Sequence, residues 1–185
     1  MFFFVILQAL FLALPGAFAN PMPIVFDKLG LLKFLDVPVD FRRKLWGEFI
    51  FGTHKTWRGI VAGIFGGLLA AFLQILLYKF FPQSHSIFLF SYNSWSVLWW
   101  GFLVGLGALL GDLVKSFFKR RLHVPSGAPF FPFDQLDLLV GGIALGSLFY
   151  IPPWQYILIL FVLTPLFHFL SNVGFYFLGL KKVWW

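Results

Sequence analysis

Three aspartates are the side chains of this sequence best suited to chemistry. Asp134 and Asp137 lie three positions apart and follow Pro132. If a helix begins near Phe133, both carboxylates lie on one side of its first turn. Asp112 lies inside an apolar stretch, where an ionisable group is costly and usually functional. Because carboxylate oxygens are hard ligands that suit Mg²⁺, these three side chains predict a magnesium site.

A structural role is the alternative for these acids. Acidic residues near the N-terminus of a helix offset the helix dipole, and for a single aspartate that explanation would be enough. Two aspartates at this spacing, with a third at the same membrane depth, favour the metal site instead. Three carboxylates at one depth repel one another unless a cation or a basic residue lies between them.

Basic residues follow Asp112 closely, at Lys115, Lys119, Arg120 and Arg121. We predict that Lys119 and Arg120 bind phosphate, because both side chains donate charge-assisted hydrogen bonds to phosphate oxygens. The alternative is that these charges only mark the cytosolic side of the membrane. Carboxylates that hold a metal, next to cations that hold phosphate, are typical of phosphoryl- and nucleotidyl-transfer sites.

A second basic motif precedes an apolar stretch and contains glycine, lysine, threonine and arginine. It is not a P-loop, because Thr53 and His54 separate the glycine from the lysine. The same residue types at the start of a helix nevertheless favour an anion site. The predicted phosphate-binding residues of this motif are Gly52, Lys55, Thr56 and Arg58.

The composition shows what kind of protein must position these residues. The chain has 185 residues, of which 60% are hydrophobic and 11% charged, whereas soluble domains carry roughly 25% charged residues. A soluble domain, a disordered chain and a coiled coil are therefore excluded. The absence of cysteine excludes disulfides and thiolate chemistry. We predict one membrane-embedded domain over residues 1–185, with its chemistry at the membrane.

A helix needs roughly 20 residues to cross a bilayer, and the hydropathy pattern predicts five membrane spans, of which the fourth is shorter. They cover Phe2–Ala19, Gly59–Tyr78, Trp95–Leu113, Leu136–Ile151 and Trp154–Leu180. Pro165 should kink the fifth span, because proline lacks a backbone N–H. The predicted fold class is therefore an all-α integral membrane protein with five transmembrane helices. Glycines four positions apart in three of the spans predict close helix packing.

The charges indicate an orientation for these spans. All but one of the 14 lysines and arginines fall on one side of the five-span arrangement, together with all seven acidic residues. By the positive-inside rule this side is the cytosol, so the N-terminus lies outside and the C-terminus is cytosolic. The predicted active site then lies at the cytosolic face of a multi-pass protein of the cell membrane. This topology and anionic headgroups explain the net charge of +7, so we predict no nucleic-acid partner.

The first span has a second interpretation, as a cleaved signal peptide. Ala17-Phe18-Ala19 before Asn20 looks like a signal-peptidase site. The stretch ahead of it carries no positive charge and is long for a signal peptide, which favours a retained membrane helix.

Taken together, these motifs resemble the CDP-archaeol synthase family, the smaller relative of CDP-diacylglycerol synthase. The shared pattern is Ser116-x-x-Lys119-Arg120, then Pro125-Ser126-Gly127, then Asp134-x-x-Asp137. The stretch from 51 to 59 looks like the nucleotide-side motif of the family. The resemblance extends from about residue 14 to residue 142. The larger enzymes carry His-Gly-Gly before their carboxylate motif, and its absence here favours the archaeol branch over one acting on phosphatidic acid.

The resemblance implies five spans and a reaction in which CTP and a membrane lipid phosphate form a CDP-lipid and pyrophosphate, with Mg²⁺ as the cofactor. It assigns Asp112, Asp134 and Asp137 to Mg²⁺. Lys119 and Arg120 are assigned to phosphates, and Lys55 and Arg58 to the triphosphate or the lipid phosphate. Gly52, Thr56 and Ser116 complete the nucleotide-binding set. A transporter that uses Asp112 as an ion site, a non-catalytic membrane subunit and a homodimer remain open from the sequence.

The charge asymmetry predicts a topology that reporter fusions can measure. A reporter fused after Trp185 should read as cytosolic, and one inserted near Ser91 should read as external, because the basic loops should stay inside. A cytosolic reading near Ser91 would contradict the five-span arrangement.

Overall fold

The computed structural model describes residues 2–90, 94–125 and 128–177, and within them the fold is mostly helical. The described helices are α1 Phe2–Ala19, α2 Met22–Lys28, α3 Trp57–Phe80, α4 Ser94–Arg121, α5 Phe133–Gly146 and α6 Trp154–Phe177. A two-residue strand β1, Lys44–Leu45, pairs antiparallel with β2, Glu48–Phe49, with Lys44 opposite Phe49. Short 3-10 turns cover Lys33–Leu35 and Pro82–Ile87.

Helix length supports a membrane protein. Among the described residues, three helical stretches are long and apolar enough to cross a membrane, Phe3–Lys28, Trp57–Phe80 and Ser94–Arg121, and Trp154–Leu170 is a shorter apolar stretch. Each of the five predicted spans overlaps a helix. The predicted fourth span is the least helical, because α5 has 14 residues and ends at Gly146 rather than Ile151. Three motif or span segments, 126–127, 178–180 and the basic pair 181–182, lie outside the described residues.

The helix bounds confirm one local prediction and correct another. α5 begins at Phe133, where the sequence places its start. The third predicted span ends at Leu113, but α4 continues without a break to Arg121. Lys119, Arg120 and Arg121 therefore form its last turn, where positive charge interacts favourably with the helix dipole.

Glycines allow α4 to pack directly on the backbones of its neighbours. A Cβ on Gly111 would collide with the main-chain carbonyl of Asp137, and one on Gly107 would collide with that of Gly141. On the other side of α4, a Cβ on Gly105 would come within 3.1 Å of the Cα of Gly67. The predicted close packing of glycine-containing helices is confirmed for α3 and α4. The contact at Gly111 brings Asp112 of α4 close to the acidic start of α5.

The segment between α2 and α3 is held in place by its backbone and by one buried carboxylate. Asp40 is 5% exposed and accepts hydrogen bonds from the N–H groups of Arg42 at 2.9 Å and Phe51 at 3.0 Å. The N–H of Val39 donates to the carbonyl of Lys55 at 2.8 Å. These bonds fix Lys55 just before α3, on the side of the segment that meets α4.

A single arginine ties the β-hairpin to the end of α4. The Arg121 guanidinium donates hydrogen bonds to the carbonyl oxygens of Leu45, Glu48 and Phe49, the last at 2.7 Å. These bonds attach the carbonyl groups of both strands to the last turn of α4. The hairpin is therefore fixed to the turn of α4 that carries Lys119 and Arg120.

Candidate active site

The three predicted aspartates converge on one ammonium group. The Nζ of Lys115 lies 3.1 Å from Asp112 Oδ1, 3.1 Å from Asp134 Oδ1 and 2.6 Å from Asp137 Oδ2. Asp112 and Lys115 are three residues apart on α4, so they share a helix face. Asp134 and Asp137 share a face on α5 in the same way. The predicted meeting of the carboxylates is present, and Lys115 is the cation between them.

Two further lysines complete this group. Lys55 forms an ion pair with Asp112. The Nζ of Lys119 lies 3.3 Å from each carboxylate oxygen of Asp134 and donates to the carbonyl of Ala128 at 2.6 Å. We call Asp112, Asp134, Asp137, Lys55, Lys115 and Lys119 the carboxylate–lysine cluster. With three acids and three lysines the cluster is formally neutral.

Burial within the cluster is uneven. The side chain of Asp137 is 4% exposed and that of Lys115 is 15% exposed, whereas Lys55 and Asp112 reach 28% and 25%. Asp137 therefore forms the buried end, and Lys55 with Asp112 forms the accessible end. A partly buried charge that loses its partner is costly, so the buried end depends on Lys115.

Arg120 has a donor with no acceptor. Among the described residues, its Nε is buried and has no hydrogen-bond partner. Gly52, with φ +92°, lies against this side chain, because a Cβ there would sit 3.8 Å from both Cδ and Nε of Arg120. The predicted pair Gly52 and Arg120 is thus brought together. An unsatisfied guanidinium donor beside a glycine loop fits an anionic ligand such as phosphate.

The remaining predicted residues have other contacts. Thr56 caps α3, since its Oγ1 accepts from the N–H of Gly59 at 3.2 Å. Arg58 forms ion pairs with Asp27 at 2.7 Å and Asp36 at 3.2 Å. These contacts attach α2 and its following turn to α3, and they do not include the cluster.

Ser116 follows Lys115 on α4 and is 7% exposed, so it belongs to the packed side of the helix. The sequence motif placed it among the nucleotide-binding residues, and that role stays a prediction.

The donor chemistry of the cluster fits a divalent cation. Three carboxylates that approach one point are the oxygen donors that Mg²⁺ accepts. In the described ranges, no group of three acidic or histidine side chains is arranged around an open metal position. The point where the three aspartates converge is held by the Lys115 ammonium.

A large apolar cavity lies on the other face of α5. Its volume is about 780 Å³, and residues from α1, α2, α4, α5 and α6 line it. α5 contributes Gln135, Leu138 and Gly142 to its wall, while Asp134 and Asp137 face Lys115 of α4. The side-chain oxygen of Gln135 is buried without a described hydrogen-bond partner. One short helix therefore separates a charged cluster from an apolar cavity.

Comparison with known proteins decides the family. A family model described as CarS-like, CDP-archaeol synthase, matches residues 2–185. The chain belongs to the CDP-archaeol synthase family.

Relatives within the CDP-archaeol synthase family cover almost the whole chain. The CDP-archaeol synthase of Pyrococcus furiosus is 36% identical over 182 residues, which cover 97% of this chain and 98% of that protein. The one of Methanocaldococcus jannaschii is 32% identical over the full length of both chains. A solved structure of an intramembrane enzyme for archaeal membrane lipid biosynthesis shares 29% identity. Its TM-score is 0.72, and the match covers 91% of this chain and 94% of that one.

These matches confirm the family resemblance seen in the sequence motifs. They also confirm the predicted class of enzyme, a CTP-dependent cytidylyltransferase of archaeal membrane lipids. The helical membrane architecture agrees with the intramembrane enzyme of similar structure.

Arg120 and Arg121 give a matched pair of variants, because each has a buried Nε without a described partner, while Arg121 also donates hydrogen bonds to the hairpin carbonyls. Arg120→Ala removes a guanidinium whose Nε has no described hydrogen-bond partner. The apparent binding free energy of CTP should therefore weaken by about 1.5–3 kcal/mol, as expected when a charge-assisted contact is lost. Its melting temperature should fall less than that of Arg121→Ala, because the buried Nε of Arg120 has no described hydrogen bond to lose. Arg121→Ala removes the bonds to the hairpin carbonyls and should lower the melting temperature instead. Steady-state kinetics and thermal unfolding in detergent measure both. Unchanged CTP use by a folded Arg120→Ala protein would exclude Arg120 from the site.

Proposed function

We propose that this protein transfers the cytidylyl group of CTP to a membrane lipid phosphate of the archaeol type, a di-prenyl glyceryl phosphate. The products are a CDP-activated lipid and pyrophosphate for phospholipid biosynthesis. One observation carries the proposal: a single helix, α5, separates the carboxylate–lysine cluster from a 780 Å³ apolar cavity. A charged head and two apolar chains of one lipid need these two environments side by side.

The reaction needs orientation and charge neutralisation rather than a base. An oxygen of the lipid phosphate attacks the α-phosphorus of CTP, and the bond from that phosphorus to the bridging oxygen of pyrophosphate breaks. The lipid phosphate is anionic at neutral pH, so no proton has to be removed first. Lys55 and Arg120 are the cations placed to bind phosphate oxygens at the accessible end of the cluster. Mg²⁺ held by Asp112, Asp134 and Asp137 would supply further neutralisation of the triphosphate.

The cavity suits the two chains of the lipid. Small residues of α1, Ala13, Gly16 and Ala17, form part of its wall and leave room for branched prenyl chains. Asn20 and Lys28 add polar groups to the same cavity, next to the end of α1 and in α2. Lys28 would give the glyceryl phosphate head a cation on the cavity side of α5.

The five-span topology and the cytosolic active site belong to this proposal. The basic last turn of α4, and the exposed Arg42, Arg43 and Lys44 at the start of the hairpin, support placement of this end of the bundle at the cytosolic face. CTP would then reach the cluster from the water phase and the lipid from the bilayer.

The function is tested with purified protein in nanodiscs supplied with labelled CTP and Mg²⁺. A di-prenyl glyceryl ether phosphate should give a labelled CDP-lipid and an equal amount of pyrophosphate. Preference for a diacyl glyceryl phosphate would move the protein to the phosphatidic-acid branch, and no transfer to either lipid would contradict the function.

The role of the carboxylates is tested by Asp134→Asn and Asp137→Asn in this assay. Activity should fall by at least about 100-fold, because one metal-ligand charge is lost while the side-chain shape is kept. Asp27→Asn is the control, since Asp27 is largely exposed and pairs with Arg58 outside the cluster. If the cluster serves stability alone, the unfolding free energy of these variant proteins should instead fall by about 3–5 kcal/mol. Full activity of a folded Asp137→Asn protein would remove the carboxylates from the mechanism.

The position of the lipid chains is tested by filling the cavity. Ala17→Trp places a large ring in the space between α1 and α5 and should raise the KM for the lipid about ten-fold, with the KM for CTP unchanged. Val61→Trp is the control, because Val61 is exposed on α3 and does not line the cavity. If the two variants have the same lipid KM, the chains lie elsewhere.

A further inference from the structure

Lys115 has no role in the reaction as described so far, yet it makes more ion pairs than any other side chain in the described structure. Its ammonium contacts Asp112, Asp134 and Asp137 at once. An ammonium has three N–H donors and no acceptor, so these three contacts use its full capacity. The side chain is 15% exposed, and its three ion-pair partners lie on α4 and α5.

The electrostatics of this arrangement bear on how a metal ion could enter. The cluster is formally neutral, so a free divalent cation gains little net attraction from it. To reach the three oxygens, the cation must also displace an ammonium that satisfies them. A divalent cation that arrives with a triphosphate brings anionic oxygens of its own, and these can pair with the displaced ammonium.

We propose that Lys115 is a positioning residue. Its ammonium occupies the metal-binding position among the three aspartates until a divalent cation arrives together with the nucleotide. Lys115 holds the carboxylates in their convergent arrangement and prevents their repulsion. It also makes occupation of the site by the cation dependent on CTP. The proposal rests on the proposed function, because it assumes that these carboxylates bind the cation of a cation–CTP complex.

The test measures cation binding rather than turnover. Mn²⁺ replaces Mg²⁺, and electron paramagnetic resonance counts free and bound Mn²⁺ on the full chain in nanodiscs, with and without a non-hydrolysable CTP analogue. Wild-type protein should bind Mn²⁺ at least ten-fold more tightly with the analogue than without it. Equal affinity in the two conditions would overturn the proposal without any variant.

The variant Lys115→Met then tests the contribution of the Lys115 ammonium alone. Without nucleotide it should bind Mn²⁺ at least ten-fold more tightly than the wild type, because three carboxylates are left without their central cation. Lys115→Gln gives the same comparison if the methionine variant does not fold. Lys79→Met, a change at an exposed lysine at the end of α3, is the control and should bind as the wild type does.

The outcomes separate this inference from the function. A folded Lys115→Met protein whose nucleotide-free affinity for Mn²⁺ equals that of the wild type overturns the role of Lys115, while transfer to the lipid still stands. No Mn²⁺ binding by any variant in either condition overturns both the role of Lys115 and the assignment of the carboxylates to a metal. Tighter binding by Lys115→Met, with a smaller effect of the analogue, supports the proposal.

Discussion

The structure depends on one electrostatic constraint: three carboxylates meet at the end of a helix bundle and need cations among them. Removing charged groups from water is expensive, and the cost is offset only when opposite charges and hydrogen bonds are close. Lys115 supplies the opposite charge at the buried end of the cluster, next to Asp137, and Lys55 supplies it at the accessible end. The loop before α3 and the last turns of α4 are both placed by this requirement. Arg120, beside Gly52, keeps a buried Nε that has no described hydrogen-bond partner.

Backbone packing makes this concentration of charge possible. α4 and α5 are in direct contact because Gly111 carries no side chain to push Asp137 away. A bulkier residue at that position would force the helices apart, and overpacking of this kind typically costs about 1–3 kcal/mol. It would also widen the gap that Lys115 spans. The geometry of the charged groups therefore depends on an uncharged residue one position before Asp112.

Much of this arrangement could be predicted from local sequence signals. The start of α5 at Phe133 follows from Pro132, and the shared face of Asp134 and Asp137 follows from helical periodicity. The central position of Lys115 was missed, although its spacing of three from Asp112 on a continuous helix would have indicated it. The hydropathy pattern hides that signal, because the apolar span ends at Leu113 while the helix continues to Arg121. The partners of Arg58 could not be predicted, because Asp27 and Asp36 reach it only after α2 has packed against α3.

The shortness of α5 has a consequence for where the two products go. Its 14 residues span about 21 Å, less than the roughly 30 Å of a hydrocarbon core. One of its faces meets polar groups, and the opposite face meets the apolar cavity. The helix therefore separates a polar environment from an apolar one. Pyrophosphate can diffuse into water from one face while the nucleotide-bearing lipid stays in the bilayer on the other. Because the two products enter different phases, their recombination is slowed by dilution alone.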